Sequence, residues 1–197
     1  SLADMTISQT RLDNGGGTLN ISNVFNAQVE QFDNSGGKLN DGRLNIAASG
    51  DLLNQDGTLT STSDAQLSVG GRLDNSRGTI AATGALTAAV TGAAINNAGT
   101  LIANREVGLT AASLDNAKGS IQSAQAGTRL NVIGALSNAQ GQIGAAGDLQ
   151  LQAGSVANSG SLRGARDVAV VSGGVFHNDG SLTAGRNALI TAGGLQG

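Results

Sequence analysis

Hydrophobic and polar positions alternate along this chain in short stretches that recur about every 20 residues. One kind of stretch places two aliphatic side chains two positions apart, as in Leu44 and Ile46 or Leu149 and Leu151. A period of two indicates a β-strand with one face turned inward. No segment shows the 3.6-residue period of an amphipathic helix, so the pattern predicts an all-β fold.

Two further apolar positions in each repeat flank an asparagine. The asparagine column consists of Asn14, Asn34, Asn54, Asn75, Asn97, Asn116, Asn138, Asn158 and Asn178. The apolar position two residues earlier holds Leu12, Phe32, Leu52, Leu73, Ile95, Leu114, Leu136, Val156 and Phe176. The apolar position four or five residues later holds Leu19, Leu39, Leu59, Ile80, Leu101, Ile121, Ile143, Leu162 and Leu182. Because asparagine bonds to nearby backbone and forms ladders when strands stack, we interpret this column as a structural ladder.

A glycine stands two residues before the second apolar position in every repeat. This column consists of Gly17, Gly37, Gly57, Gly78, Gly99, Gly119, Gly141, Gly160 and Gly180. Glycine adopts positive φ without strain, so the column predicts a structural turn with positive φ at this place. Each repeat then holds about three short strands separated by corners, which is one coil of a β-helix.

One coil buries too few aliphatic side chains to offset the ordering of its backbone, so the coils must stack to be stable. The pattern therefore predicts a right-handed parallel β-helix of about nine to ten coils, formed by residues 1–197 as a single continuous array. The first residues match the second half of a coil, and the last ones stop where another repeat is due. We therefore expect a fragment of a longer filament.

The amino-acid composition excludes several classes of function. Charged residues make up 13% of the chain and aromatic residues 2%, and Pro, Cys, Trp and Tyr are absent. The 11 Lys and Arg residues are scattered singly, which argues against nucleic acid as a partner. No apolar run approaches the length of a membrane span, so we expect no membrane insertion by this segment. Without cysteine, disulfides and thiolate metal sites are excluded.

Residues that resemble reactive or metal-binding groups are few. Asp13, Asp33, Asp74 and Asp115 precede the asparagine column, and a cation could bridge Asp13 and Asp33 on adjacent coils, but the acidic column is interrupted at five repeats. His177 is the one histidine, beside Asp179 and near Ser172 and Ser181. A solvated histidine in a turn is a simpler interpretation of this group than a catalytic triad.

Carbohydrate-active β-helices use grouped charges and aromatic platforms, which this chain lacks, since Phe32 and Phe176 fall in an interior column. We therefore predict no enzyme, and no catalytic, cofactor or metal site.

The repeat Leu114-Asp115-Asn116-Ala117-Lys118-Gly119-Ser120-Ile121 and the segment Ala146-Gly147-Asp148-Leu149-Gln150-Leu151-Gln152-Ala153 resemble the filamentous haemagglutinin repeats of two-partner secretion exoproteins. The resemblance covers essentially the whole chain. It implies a large Gram-negative exoprotein, exported through an outer-membrane two-partner secretion transporter, that is secreted or held at the cell surface. Such proteins include adhesins and contact-dependent growth inhibition toxins.

The chain lacks the Asn-Pro motifs of the secretion domain and any toxin-like segment. We therefore predict a structural shaft that presents adhesive or toxin modules away from the cell. The alternative is that the rod surface is itself an adhesin for a host or bacterial receptor.

Overall fold

The computed structural model describes residues 2–197, with side chains from residue 3 onward. These residues form strands and turns, with no helix among them. The strands are β1 (Leu2–Asp13), β2 (Thr18–Asp33), β3 (Lys38–Asp41), β4 (Arg43–Ala48), β5 (Leu52–Leu53), β6 (Thr58–Ser61), β7 (Ala65–Val69), β8 (Leu73–Asp74), β9 (Thr79–Ala82), β10 (Leu86–Val90), β11 (Ala93–Ile95), β12 (Thr100–Ala103), β13 (Val107–Ala111), β14 (Ser113–Asp115), β15 (Ser120–Ser123), β16 (Thr128–Asn138), β17 (Gln142–Ala145), β18 (Leu149–Asn158), β19 (Ser161–Gly164), β20 (Val168–Asn178), β21 (Ser181–Ala184) and β22 (Ala188–Gln196).

Every strand pairs in parallel with the equivalent strand about 20 residues away, so the chain is a β-solenoid of about 10 turns, as the repeat predicted. The pairs form three rows. The first row contains β3, β6, β9, β12, β15, β17, β19 and β21. The second row contains β4, β7, β10 and β13 and the first parts of β16, β18, β20 and β22. The third row contains β5, β8, β11 and β14 and the remainder of β16, β18, β20 and β22.

Coils differ in how sharply they turn. Between residues 38 and 123 each coil has three separate short strands. From β16 onward the second and third rows join into one strand per coil, with a register shift between them at Val132/Ala135 and Ala153/Val156. Glycines at this corner, such as Gly134 and Gly154, leave little room for a side chain beside the preceding coil. At the other end, β2 covers parts of all three rows as a single strand.

The predicted apolar columns form a continuous interior. Leu39, Leu59 and Ile80 stack in the first row, and all three are fully buried. All three phenylalanines lie inside, with Phe25 and Phe32 in contact at a ring-centroid distance of 6.4 Å. The interior was therefore correctly predicted in the second-row pairs and in the first row, apart from the end coils, where Leu19 and Leu182 are only partly buried. In the third row Leu12 of the first coil is also partly buried, and one inner coil departs from the prediction, with Ala94 buried and Ile95 only partly buried.

Candidate functional site: the asparagine corner and the outer surface

The turn that leaves the third row carries a ladder of asparagine side chains. Each amide nitrogen donates to the amide oxygen of the next coil's asparagine, at 2.6 Å for the first pair and 2.7 Å for the others. The ladder runs through Asn14, Asn34, Asn54, Asn75, Asn96, Asn116, Asn138, Asn158 and Asn178. It thus connects nine successive coils through side chains alone.

Main-chain oxygens complete the hydrogen bonding of this ladder. Besides its ladder bond, the Asn75 amide nitrogen faces the carbonyl oxygen of Gly78 in its own coil at 3.2 Å and that of Thr100 in the next coil at 3.1 Å. Ladder members from Asn34 to Asn158 are at most 1% exposed. A buried amide is costly unless its donors and acceptors are used, and here both are used.

One predicted member of the column is wrong. Asn96, and not Asn97, occupies the ladder in its coil. Asn97 lies one position further out, where its amide donates to Asp115 at 3.0 Å. With this shift Ala94 takes the interior position assigned to Ile95. The observed register pairs the buried Asn96 amide with Asn75 and Asn116 and leaves Ile95 only partly buried. An unpaired buried amide would be costly, which is the physical reason for this register.

The glycine column is also explained differently than predicted. Positive φ occurs one residue earlier, at Gly16 and Gly36 and then at five exposed residues that are not glycine. Those five are Asp56, Arg77, Ala98, Lys118 and Gln140. The column glycines themselves are needed for space: a Cβ at Gly119 would overlap the carbonyl oxygen of Asn96 in the preceding coil. Equivalent overlaps occur at Gly37, Gly57, Gly78, Gly99 and Gly141.

The acidic residues before the ladder act on the same turn. The carboxylate of Asp33 accepts the main-chain N–H of Ser35 at 3.0 Å, and Asp13, Asp74 and Asp115 make the same contact in their coils. Between Asp13 and Asp33, where a cation was considered, the Arg11 guanidinium lies 3.3 Å and 3.6 Å from the two carboxylates. Among residues 2–197, no three His, Cys, Asp or Glu side chains are grouped as metal ligands would be.

Asp–Arg pairs join neighbouring coils on the outside. Arg77 contacts Asp56 of the preceding coil at 2.7 and 2.8 Å, and this hydrogen-bonded guanidinium lowers the pKa of the Asp56 carboxyl. Arg166 contacts Asp148 in the same way at 2.9 and 3.1 Å. Each pair is exposed, so it contributes little to the free energy of folding by itself. Its two side chains belong to adjacent coils, so each pair joins one coil to the next.

His177 occupies the acidic position of its coil. Its Nε2 lies 2.7 Å from the carboxylate of Asp179, and the side chains of both residues are about half exposed. Ser172 donates to the carbonyl oxygen of Val175, so its hydroxyl is used within its own turn. The geometry therefore gives a histidine–carboxylate pair at a surface corner, with no serine hydroxyl bonded to it.

Asp41 is a residue that sequence reasoning missed. It ends β3 two positions after Leu39, so its side chain points into the solenoid and is only 3% exposed. In the paired coils the same position holds Ser61, Ala82, Ala103, Ser123, Ala145, Gly164 and Ala184. The Asp-Gly pair at 41 and 42 is typical of an exposed turn, and only alignment with this small-residue column indicates that the carboxyl is inside.

The outer surface carries shallow grooves. One of them, of about 850 Å³, crosses the corner between the second and third rows near the first coils. Its polar lining includes Ser8, Thr10, Gln28, Glu30, Ser49 and Ser68. Among residues 2–197, no helix is long and apolar enough to cross a membrane.

Comparison with protein families identifies the repeat. The haemagglutinin repeat model matches residues 2–56, 51–77, 79–144 and 144–196, which together cover nearly the whole chain. No curated protein and no solved structure was found to match it. The family and the β-solenoid are those of structural or adhesin-like segments of secreted or surface-exposed exoproteins. The chain belongs to the haemagglutinin repeat family.

Proposed function

We propose that this chain is the shaft of a two-partner secretion exoprotein and holds adhesive or toxin modules away from a bacterial surface. The observation that supports this is the continuity of the asparagine ladder and the apolar interior along the described coils. Stacking at about 4.8 Å per coil makes the length of the rod proportional to the number of repeats. A rod of this kind supplies reach and stiffness.

The same stacking suits export as an unfolded chain. Each new coil finds its hydrogen-bond partners on the coil before it, as Thr79 does when its N–H donates to the carbonyl oxygen of Gly57. Folding can therefore proceed coil by coil as the chain emerges from an outer-membrane two-partner secretion transporter on a Gram-negative cell. No cofactor is required in this mechanism.

A second candidate function is that the rod surface is an adhesin for a host or bacterial receptor. The groove at Ser8, Gln28, Glu30 and Ser68 favours it, because hydroxyl, amide and carboxylate groups converge there on one concave face. Most of the exposed side chains around it can form hydrogen bonds, with Ala47 as an apolar exception, so a polar ligand such as a glycan is the class we propose.

A binding experiment separates the two functions. The purified chain is compared with a groove variant, Gln28→Arg with Ser68→Arg, and with a control variant, Thr87→Arg with Thr110→Arg, whose exposed second-row positions lie outside the groove. Each is titrated onto host cells and onto sibling bacteria. The shaft function predicts equal, negligible binding by all three. Saturable binding that only the groove variant loses would show that the segment is an adhesin.

A further inference from the structure

The corner between β3 and β4 buries an acid that has no partner. Neither carboxyl oxygen of Asp41 has a hydrogen bond. Ser61 lies beside it in the next coil, but the Ser61 hydroxyl faces two main-chain acceptors, the carbonyl oxygens of Gly42 at 3.1 Å and Asp64 at 3.0 Å, and its one hydrogen serves these. Among the described residues, the other buried side-chain atom without a hydrogen bond is Nδ1 of His177, whose Nε2 is paired with Asp179. Asp41 is thus the one described residue with both side-chain polar atoms buried and unpaired, and this requires an explanation.

The charges around Asp41 do not compensate it. On β4, Arg43 points outward and pairs with Asp64 at 3.8 Å, with about half of each side chain exposed. On β3, the remaining charged residue is the exposed Lys38. The paired position on β6 is the uncharged Ser61. Ionised Asp41 would therefore be a buried charge without a counterion, which is strongly unfavourable.

We propose that Asp41 is a proton-controlled weak point of the shaft, whose corner stays closed while the carboxyl is protonated and opens to water when it ionises. The opening involves residues 41–44 and the turn at residues 62–64, which are joined by main-chain bonds from Thr62 N–H to Asp41 and from Leu44 N–H to Asp64. This inference rests on the geometry of the corner and does not depend on the shaft function.

Protonation gives the direction of the effect. Burial raises the pKa of Asp41 from 3.8 to about 7, and the nearby Ser61 hydroxyl lowers it only in part. In the open corner the carboxyl is hydrated and returns to its ordinary pKa, so the closed form holds the extra proton between about pH 4 and 7. The opening equilibrium constant then rises about tenfold per pH unit across that interval and levels off above it.

Amide hydrogen exchange on the whole chain tests this proposal. Exchange at Leu44 and Thr62 is followed from pH 5 to 8, corrected for intrinsic rates, in the wild type, Asp41→Ala, Asp41→Asn and the control Asp64→Asn. Alanine occupies the same column at Ala82 and Ala103, so the Asp41→Ala variant matches neighbouring coils.

The wild type and Asp64→Asn should lose about tenfold protection per pH unit between pH 5 and 7, whereas both Asp41 variants should show no such dependence. The same profile in all four proteins would overturn the proposal. Titration of the Asp41 carboxyl carbon by NMR in the wild type decides independently of any variant. A midpoint near 7 supports the proposal, and one near the ordinary 3.8 contradicts it.

Discussion

The asparagine corner and the Asp41 corner both place polar side chains inside the solenoid. At the asparagine corner each amide is a donor and an acceptor at once, so identical residues on successive coils satisfy each other at 2.6 to 2.7 Å. A carboxylate only accepts, and neither carboxyl oxygen of Asp41 receives a hydrogen bond from the neighbouring coils. Stacking therefore rewards a polar side chain that can bond to its own copy and penalises one that cannot.

Asp74 sharpens this contrast, because it is an equally buried aspartate at 4% exposure. Its carboxylate accepts from the Gln55 amide at 2.8 Å and from the Ser76 hydroxyl and N–H at 2.7 and 3.1 Å. The difference between Asp41 and Asp74 is thus the supply of donors and not the depth of burial. Substitutions at these corners should therefore differ in how much they change the free energy of unfolding.

Interrupting the asparagine ladder should cause the largest loss in the free energy of unfolding. Asn96→Ala removes the partner of Asn75 and Asn116 and leaves buried amide groups unsatisfied, so we expect the free energy of unfolding to fall by about 3 kcal/mol. The adjacent control Asn97→Ala loses two partly buried hydrogen bonds and should cost about 1 kcal/mol. Urea unfolding followed by circular dichroism measures both. Equal losses would mean that the register assigned to this coil is incorrect.

Adding a side chain at a glycine of the column should give the second-largest loss of stability. Gly119→Ala places a Cβ against the Asn96 carbonyl oxygen and 2.5 Å from the Asn116 amide oxygen, which we expect to cost about 2 kcal/mol in the same urea assay. Gly108→Ala is the matched control, because no atom lies within 4 Å of its Cβ and its φ is ordinary. It should change the free energy of unfolding by less than about 0.5 kcal/mol. A tolerated Gly119→Ala would contradict the steric explanation of the column.

Removing the carboxyl of Asp41 and that of Asp74 should change the free energy of unfolding in opposite directions. At pH 8, Asp41→Ala should raise the free energy of unfolding by about 1 to 2 kcal/mol, since local opening limits what the ionised acid costs. The gain should shrink as the pH falls from 7 towards 4 and be lost below about pH 3, where Asp41 is protonated in the folded and unfolded chain alike. Asp74→Ala should lower stability by about 1 to 2 kcal/mol at pH 8, because it loses three hydrogen bonds. Urea midpoints at the two pH values check this, and stabilisation by Asp74→Ala would refute the donor argument.

The smallest effect concerns the positive-φ residues before the column. Ala98 has φ of 54° and an exposed side chain, so Ala98→Gly relieves backbone strain and should stabilise the chain by about 0.5 to 1 kcal/mol. Its neighbour in the next coil, Ala117, lacks positive φ, and Ala117→Gly should destabilise by a similar amount. Thermal unfolding midpoints would show the opposite shifts, and a loss in both variants would argue that no strain is stored at Ala98.

Much of the fold could be predicted from the sequence because a solenoid repeats its contacts at fixed spacing. Leu39, Leu59 and Ile80 occupy equivalent positions along the chain, and parallel stacking turns that equivalence into direct contact. The predicted register was wrong where two asparagines are adjacent, at Asn96 and Asn97. The amino-acid sequence can be aligned with either of them in the ladder position. Only the hydrogen-bond partners on both neighbouring coils choose between them.

The sequence by itself determined the coil length, the apolar interior and the corner at which asparagine and glycine recur, since these are periodic properties of single positions. The tertiary structure decided why the glycines are there, which asparagine joins the ladder, and that Asp41 lies inside without a donor. Those answers depend on what the coils above and below present at each position. A property set by neighbours about 20 residues away in each direction appears only when the coils are stacked.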